Sequence, residues 1–197
     1  LLTEAGYAHE ACHPGFEDGP LVPGKVTPAQ WVASLAKLKA WAGARTPEAQ
    51  QLLATSDLVV VGADTACVMD GVLIGTPQTA EQARAMVRAF ANREHEVVTG
   101  VALLHVAQQG TQSARVLFAD RALVRMGALS ERELDAYVSS GAWQGKAGGY
   151  NIAERMQAGW DLSFEGDQTS IMGLPMARLA RALATLGVWH ASIEGER

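Results

Sequence analysis

The string His9-Glu10-Ala11-Cys12-His13 sets two imidazoles four residues apart around a glutamate. This is the H-E-x-x-H pattern with which a helix ligates zinc and supplies a general base. That chemistry needs a helix, because only there do positions i and i+4 share a face. Gly6 and the Pro14-Gly15 pair bracket the segment and leave Tyr7 to His13, a length suited to a strand. Extended at about 3.3 Å per residue, His9 and His13 stand roughly 13 Å apart, too far to hold one zinc ion. Pro14 also biases His13 toward extended backbone. The next histidine is His95, and residues 19–47 contain no Asp or Glu to act as a third ligand. The zinc-protease reading is set aside.

Three other places could do chemistry. Asp64 follows the apolar run Asp57-Leu-Val-Val-Val-Gly-Ala63 and is expected to close a strand buried on both faces. Ligands of α/β sheets bind beyond the carboxyl ends of strands. A carboxylate there holds a magnesium ion or orients a water, or else it simply begins a turn. Glu17 and Asp18 in G-F-E-D-G form an acidic pair suited to a hard divalent cation, or to a solvated loop. The stretch Gln144-Gly-Lys-Ala-Gly-Gly-Tyr150 joins glycines that permit close backbone approach to the point charge of Lys146, a combination that suits an anionic ligand. It lacks the spacing of a P-loop. Residue types alone therefore indicate an α/β domain with a site for a phosphorylated ligand.

The elements that would position these groups alternate along the chain. Thr27-Pro28-Ala29-Gln30 combines a cap, a proline at the first helical position and a glutamine to close the box, so a helix is predicted to about Gly43. Thr46-Pro47 opens a shorter one. Thr65 to Met69 and Val72 to Gly75 flank Asp70-Gly71, the signature of a two-residue type I′ hairpin. Thr79 with Gln82 opens a helix to about Ala91, His95 to Ala107 and Ala114 to Met126 read as long strands, Ser130 with Glu133 caps a helix to about Ser139, and Pro175 opens a last one to about Leu186.

Composition sets the remaining bounds. The chain has 197 residues, 48% of them hydrophobic, and a net charge of −5 without any block of like charge, which indicates a folded core and no nucleic-acid partner. No apolar run reaches the roughly 20 residues that span a bilayer, and no signal sequence opens the chain, so a cytoplasmic location and no membrane partner are expected. Cys12 and Cys67 have no metal-binding spacing, fit a reducing compartment, and are expected to be small core residues.

Five ordered blocks carry a further indication: G-A-D-T (62–65), D-G-V-L-I-G-T-P (70–77), H-E-V-V-T-G-V-A-L (95–103), G-K-A-G-G-Y-N-I (145–152) and G-D-Q-T-S-I-M-G-L-P (166–175). Together they resemble the Maf family of nucleoside-triphosphate pyrophosphatases, also called septum-formation inhibitor proteins, over about residues 1–186. The resemblance implies a single Maf-like domain over 1–197. Its fold would be α/β, a mixed twisted sheet with flanking helices in two lobes around a cleft, as in Maf and ITPase-like proteins. It also implies a divalent cation, Mg2+ or Mn2+, a nucleoside triphosphate cleaved to monophosphate and pyrophosphate, and a homodimer, as many members form.

Carried over by position, Asp64 falls on the family's central acidic residue, acting with the metal or the attacking water. Thr65 follows it as a nucleotide contact. Glu17 and Asp18 align, in reversed order, with an acidic metal-binding pair. Lys39 and Lys146 match lysines that neutralise phosphate charge, with a solvated helix face and a loop charge as their alternatives. Thr76 stands in the substrate site where the family usually has lysine, Gly145 where it often has aspartate, and Ala153 where it often has glutamine. The family's first strand and its Ser-x-Arg-Arg phosphate loop would stand before Leu1. An enzyme and a non-catalytic, nucleotide-binding or regulatory member of the family are the two readings that follow.

Overall fold

A computed structural model describes residues 1–16, 21–108 and 111–189. Helix α1 (Pro28–Gly43) starts as its sequence dictates: the Thr27 side chain accepts from the Gln30 backbone while the Gln30 side chain accepts from the Thr27 N–H. Helix α2 (Pro47–Leu53) is capped by Thr46. Strands β1 (Leu58–Met69) and β2 (Val72–Ile74) form a hairpin in the register Cys67 to Ile74 and Met69 to Val72, with Asp70 and Gly71 both at the positive φ of a type I′ turn. Next come α3 (Ala80–Phe90), β3 (Arg93–Val106), β4 (Gln112–Met126) and α4 (Glu131–Ser139), the last with the capping box read from Ser130 and Glu133. A 3-10 turn at Ala147–Gly149, α5 (Ile152–Gln157), β5 (Leu162–Glu165), α6 (Gln168–Ile171) and α7 (Met176–Thr185) complete the described chain. The fold is mixed α/β: a five-stranded antiparallel sheet in the order β2-β1-β3-β4-β5, flanked by helices.

The chain divides into two compact units. The first comprises residues 1–64, 100–119 and 174–197, the second 65–99 and 120–173. In the first, β1 alternates faces with the period of two that a strand imposes. Leu58 and Val60 pack with Ala36, Ala40 and Leu53 of α1 and α2, whereas Val59, Val61 and Ala63 pack with Tyr7, Leu179 and Leu183. Helix α1 lies so close that a Cβ on Gly62 would come 2.3 Å from the Ala36 carbonyl oxygen, and one on Gly100 within 2.4 Å of the Val32 and Ala33 backbone. Only glycine permits that approach. In the second unit the core gathers Cys67, Ala83, Val87, Phe90, Val124, Met126 and Tyr137, among others.

Three expectations are corrected. Tyr7 to His13 forms no strand: after a turn over residues 2–6 the segment is irregular, with Tyr7 buried and residues 8–13 exposed. Gly6 and Gly15 both take positive φ, which breaks the extended path, and the stretch shows no apolar alternation to bury against a sheet. The His9 Nδ1–H donates to the Tyr7 carbonyl and the His13 Nδ1 accepts from the Gly15 N–H, so both rings make local contacts. Second, β1 does not end at Asp64 but runs on to Met69, because the hairpin pairing with β2 extends it. Both of its faces are covered in the first unit, yet Leu58 to Val61 remain partly exposed. Third, Cys67 is buried as expected, but Cys12 is exposed. Among the described residues no helix is long and apolar enough to cross a membrane.

Candidate functional site

Asp64 sits in mid-strand on the face of β1 that looks toward α1, two residues beyond Gly62. Lys39 lies on α1 beside the buried row Val32, Ala36 and Ala40. The close approach enforced at Gly62 and Gly100 brings the two side chains together. The Lys39 ammonium donates to Asp64 Oδ1 at 2.6 Å, with the aspartate side chain 10% and the lysine side chain 30% exposed. Lys39 is therefore no solvated helix charge. A charge-assisted bond between partly desolvated groups fixes the carboxylate's rotamer and is worth more than an exposed pair.

Of the other candidates, Thr65, Thr76 and Lys146 belong to the second unit. Thr65 shares a face of β1 with Cys67 and Met69 by alternation. Its hydroxyl lies 2.8 Å from that of Thr99 on β3, and the Thr99 hydroxyl donates to the Ser170 carbonyl at 2.8 Å. Thr99 and Ser170 are fully buried, Thr65 partly exposed. The loop carrying Lys146 is held by its glycines: the Gly148 N–H donates to the Gly75 carbonyl at 2.9 Å, and Gly149 packs near Pro77. Gly148 has φ +66°, and a Cβ there would fall 2.5 Å from Cys67 Sγ. The glycine loop thus sits next to exposed Thr76. Lys146 itself pairs with Glu154, in the first turn of α5, at 2.5 Å.

Glu17 and Asp18 lie outside the described residues. Among the described residues no three Asp, Glu, His or Cys side chains cluster as a metal site. What Asp64 offers suits a hard cation nonetheless, since Mg2+ is commonly held by one or two carboxylates together with substrate phosphates.

Sequence reading passed over Thr99, Ser170 and Glu154. Thr99 could have been noticed as a lone hydroxyl in the apolar run V-V-T-G-V-A-L, a residue that must find a partner once buried. The second unit also buries His95. Its Nε2 lies 2.7 Å from the Tyr150 hydroxyl, its ring stacks on Phe90, and its Nδ1 has no partner. Burial lowers its pKa to about 4 and raises the Cys67 thiol to about 12, so Cys67 is no nucleophile at neutral pH.

The architecture and these residues define an α/β protein with a lysine-held carboxylate on the long strand β1 and a glycine-built loop carrying a second lysine. The family model described as Maf-like protein matches residues 1–186, and the chain belongs to that family. A relative from Pelotomaculum thermopropionicum, named dTTP/UTP pyrophosphatase, is 36% identical over 187 residues, 95% of this chain and 90% of its own length. One of the same name from Bordetella parapertussis is 36% identical over 191 residues, covering 95% of this chain and 87% of its own. A third, from Salinibacter ruber, is 36% identical over 167 residues, 84% and 75% of the two chains.

Proposed function

We propose that this protein hydrolyses a nucleoside triphosphate, a (d)NTP or modified nucleotide, to the monophosphate and pyrophosphate. The relatives' names direct the proposal toward dTTP and UTP. The observation that supports it best is the Lys39–Asp64 pair, which joins two motif positions 25 residues apart. A water attacks the phosphorus nearest the sugar, the bond from that phosphorus to the bridging oxygen breaks, and pyrophosphate leaves with the electron pair. Asp64 accepts a hydrogen bond from the attacking water and orients it. Lys39 holds the carboxylate in place and sets a positive charge beside it. Lys146 is the cation we assign to the phosphate chain, which competes with Glu154 for it. Thr76, next to the Gly75 carbonyl that holds the glycine loop, brings no charge. A divalent cation, Mg2+ or Mn2+, held by Asp64, and by Glu17 and Asp18 as the family resemblance implies, would supply neutralisation of the phosphate oxygens.

The competing reading is a nucleotide-binding member of the family without turnover; what favours it is that Lys146 pairs with Glu154 and Thr76 brings no cation. The test is incubation of the purified protein with each common and modified nucleoside triphosphate and Mg2+ or Mn2+, followed by separation of the products. Monophosphate with pyrophosphate is expected. Diphosphate with orthophosphate would overturn the reaction assigned, and binding without any product would establish the competing reading.

A further inference from the structure

The second unit contains a cation that is poorly matched by an anion. Arg155 in α5 has its side chain 18% exposed, with its guanidinium carbon 4.7 Å from the centre of the Tyr137 ring and 5.6 Å from that of Trp160. Aromatic faces offset part of what desolvating a cation costs. They do not replace the in-plane acceptors that guanidinium N–H groups require, and among the described residues the buried Arg155 Nε–H has no acceptor. Glu154 does not fill the need. Consecutive residues of a helix do not face each other, and Glu154 Oε2 stays 3.9 Å from Arg155 Nη2, beyond hydrogen-bond length. The same oxygen accepts from the Lys146 ammonium at 2.5 Å. One carboxylate oxygen thus faces two cations and bonds one of them. A buried donor without a partner calls for one, and the open side of this cluster is Glu154, whose side chain is 46% exposed.

We propose that Lys146 and Arg155 form a subsite for a phosphate oxyanion, and that the Glu154 carboxylate is the internal occupant which such an anion displaces. The source of the anion rests on the nucleotide reading above, in which Lys146 meets the phosphate chain; Arg155 becomes the second cation of that contact. A phosphate carries several acceptor oxygens on one centre and so bonds the ammonium and the planar guanidinium fork together, which the single shared oxygen of Glu154 does not. Releasing Glu154 to water costs little, because an ion pair this exposed is weak. Until it leaves, its charge repels an approaching phosphate. The affinity of the subsite is therefore set by Glu154.

The test is calorimetric binding of inorganic pyrophosphate with EDTA present, so that no divalent cation carries the anion. Glu154→Gln keeps the side chain's shape and removes its charge, and should tighten binding by about two- to fivefold, the worth of one exposed ion pair. Glu94→Gln removes the same charge from an exposed position of β3 and should leave the affinity unchanged. Added to Glu154→Gln, Lys146→Met or Arg155→Met should each cancel the gain, since methionine keeps an apolar stem and loses the cation. Melting curves show whether Arg155→Met folds. If it does not, the Nε–H NMR signal of Arg155 in the Glu154→Gln protein decides: it should move on addition of pyrophosphate, and an unmoved signal overturns the subsite. An unchanged affinity in Glu154→Gln, or an equal gain in Glu94→Gln, overturns it as well. α,β-Methylene-UTP, which resists cleavage at the bond in question, is titrated in parallel. A matching gain assigns the subsite to the phosphate chain of a nucleotide, whereas a gain for pyrophosphate alone assigns it to the free anion, so that the subsite stands and its link to the nucleotide reading fails. Turnover by wild type is measured separately, and neither binding result depends on it.

Discussion

Replacing Asp64 by Asn keeps the side chain's shape and an acceptor for Lys39 while removing the charge that would orient water. Pyrophosphate release should fall by at least about a hundredfold, the scale of a lost catalytic carboxylate, with the melting temperature nearly unchanged. Full turnover in Asp64→Asn would remove it from the reaction. His95 sets a second expectation at this scale. Folded, it stays neutral down to about pH 4, whereas in the unfolded chain it takes a proton near the ordinary value of 6.5. Acid therefore favours the unfolded chain: the stability His95 lends is complete above about pH 6.5 and is lost as pH falls toward 4, a loss of about 3 kcal/mol. His95→Gln should be less stable at neutral pH and less sensitive to acid in this window. Urea midpoints of both proteins at pH 7.5 and 4.5 provide the comparison, and parallel acid losses would show that His95 is not the group responsible.

The position of α1 depends on absent side chains. A methyl at Gly100 would strike the α1 backbone rather than a side chain that could turn aside, so Gly100→Ala should cost about 1–3 kcal/mol or more and pull Lys39 away from Asp64. Gly75, whose added Cβ would meet nothing within 4 Å, is the control, and Gly75→Ala should melt close to wild type. Equal melting temperatures for the two variants would show that α1 accommodates the methyl. The same scale explains what the sequence disclosed. Helix starts were legible at Thr27, Thr46, Thr79 and Ser130 because a cap is a local hydrogen bond written in adjacent residues. The I′ turn at Asp70-Gly71 was legible for the same reason. The continuation of β1 through Asp64 was not, since a charged residue in mid-strand is tolerated there by a lysine 25 positions away; β2 pairs only with the strand's last residues, Cys67 to Met69. Helices α5 and α6 and strand β5, of four to six residues each, were missed because elements so short draw their stability from packing, not from their own periodicity. At the site, motif positions were readable as residues, but the partners of Lys146 and Thr65 depend on which loops meet in space.

The chain passes between the two compact units after residues 64, 99, 119 and 173, and the first three of these crossings fall inside β1, β3 and β4. Neither unit is a contiguous segment, so no single cut of the chain isolates one of them. The burial of Cys67 beneath Gly148 has a practical consequence for the molecule as a reagent. The sequence contains two cysteines, and in the native protein one of them, Cys67, has its sulfur sealed in the core while Cys12 lies exposed. Ellman's reagent should therefore titrate one thiol promptly in the folded protein and two in denaturant. A second fast thiol in the native state would mean that the glycine loop opens readily. With one fast thiol, a maleimide dye attaches at Cys12 alone, giving the unaltered chain a single spectroscopic address.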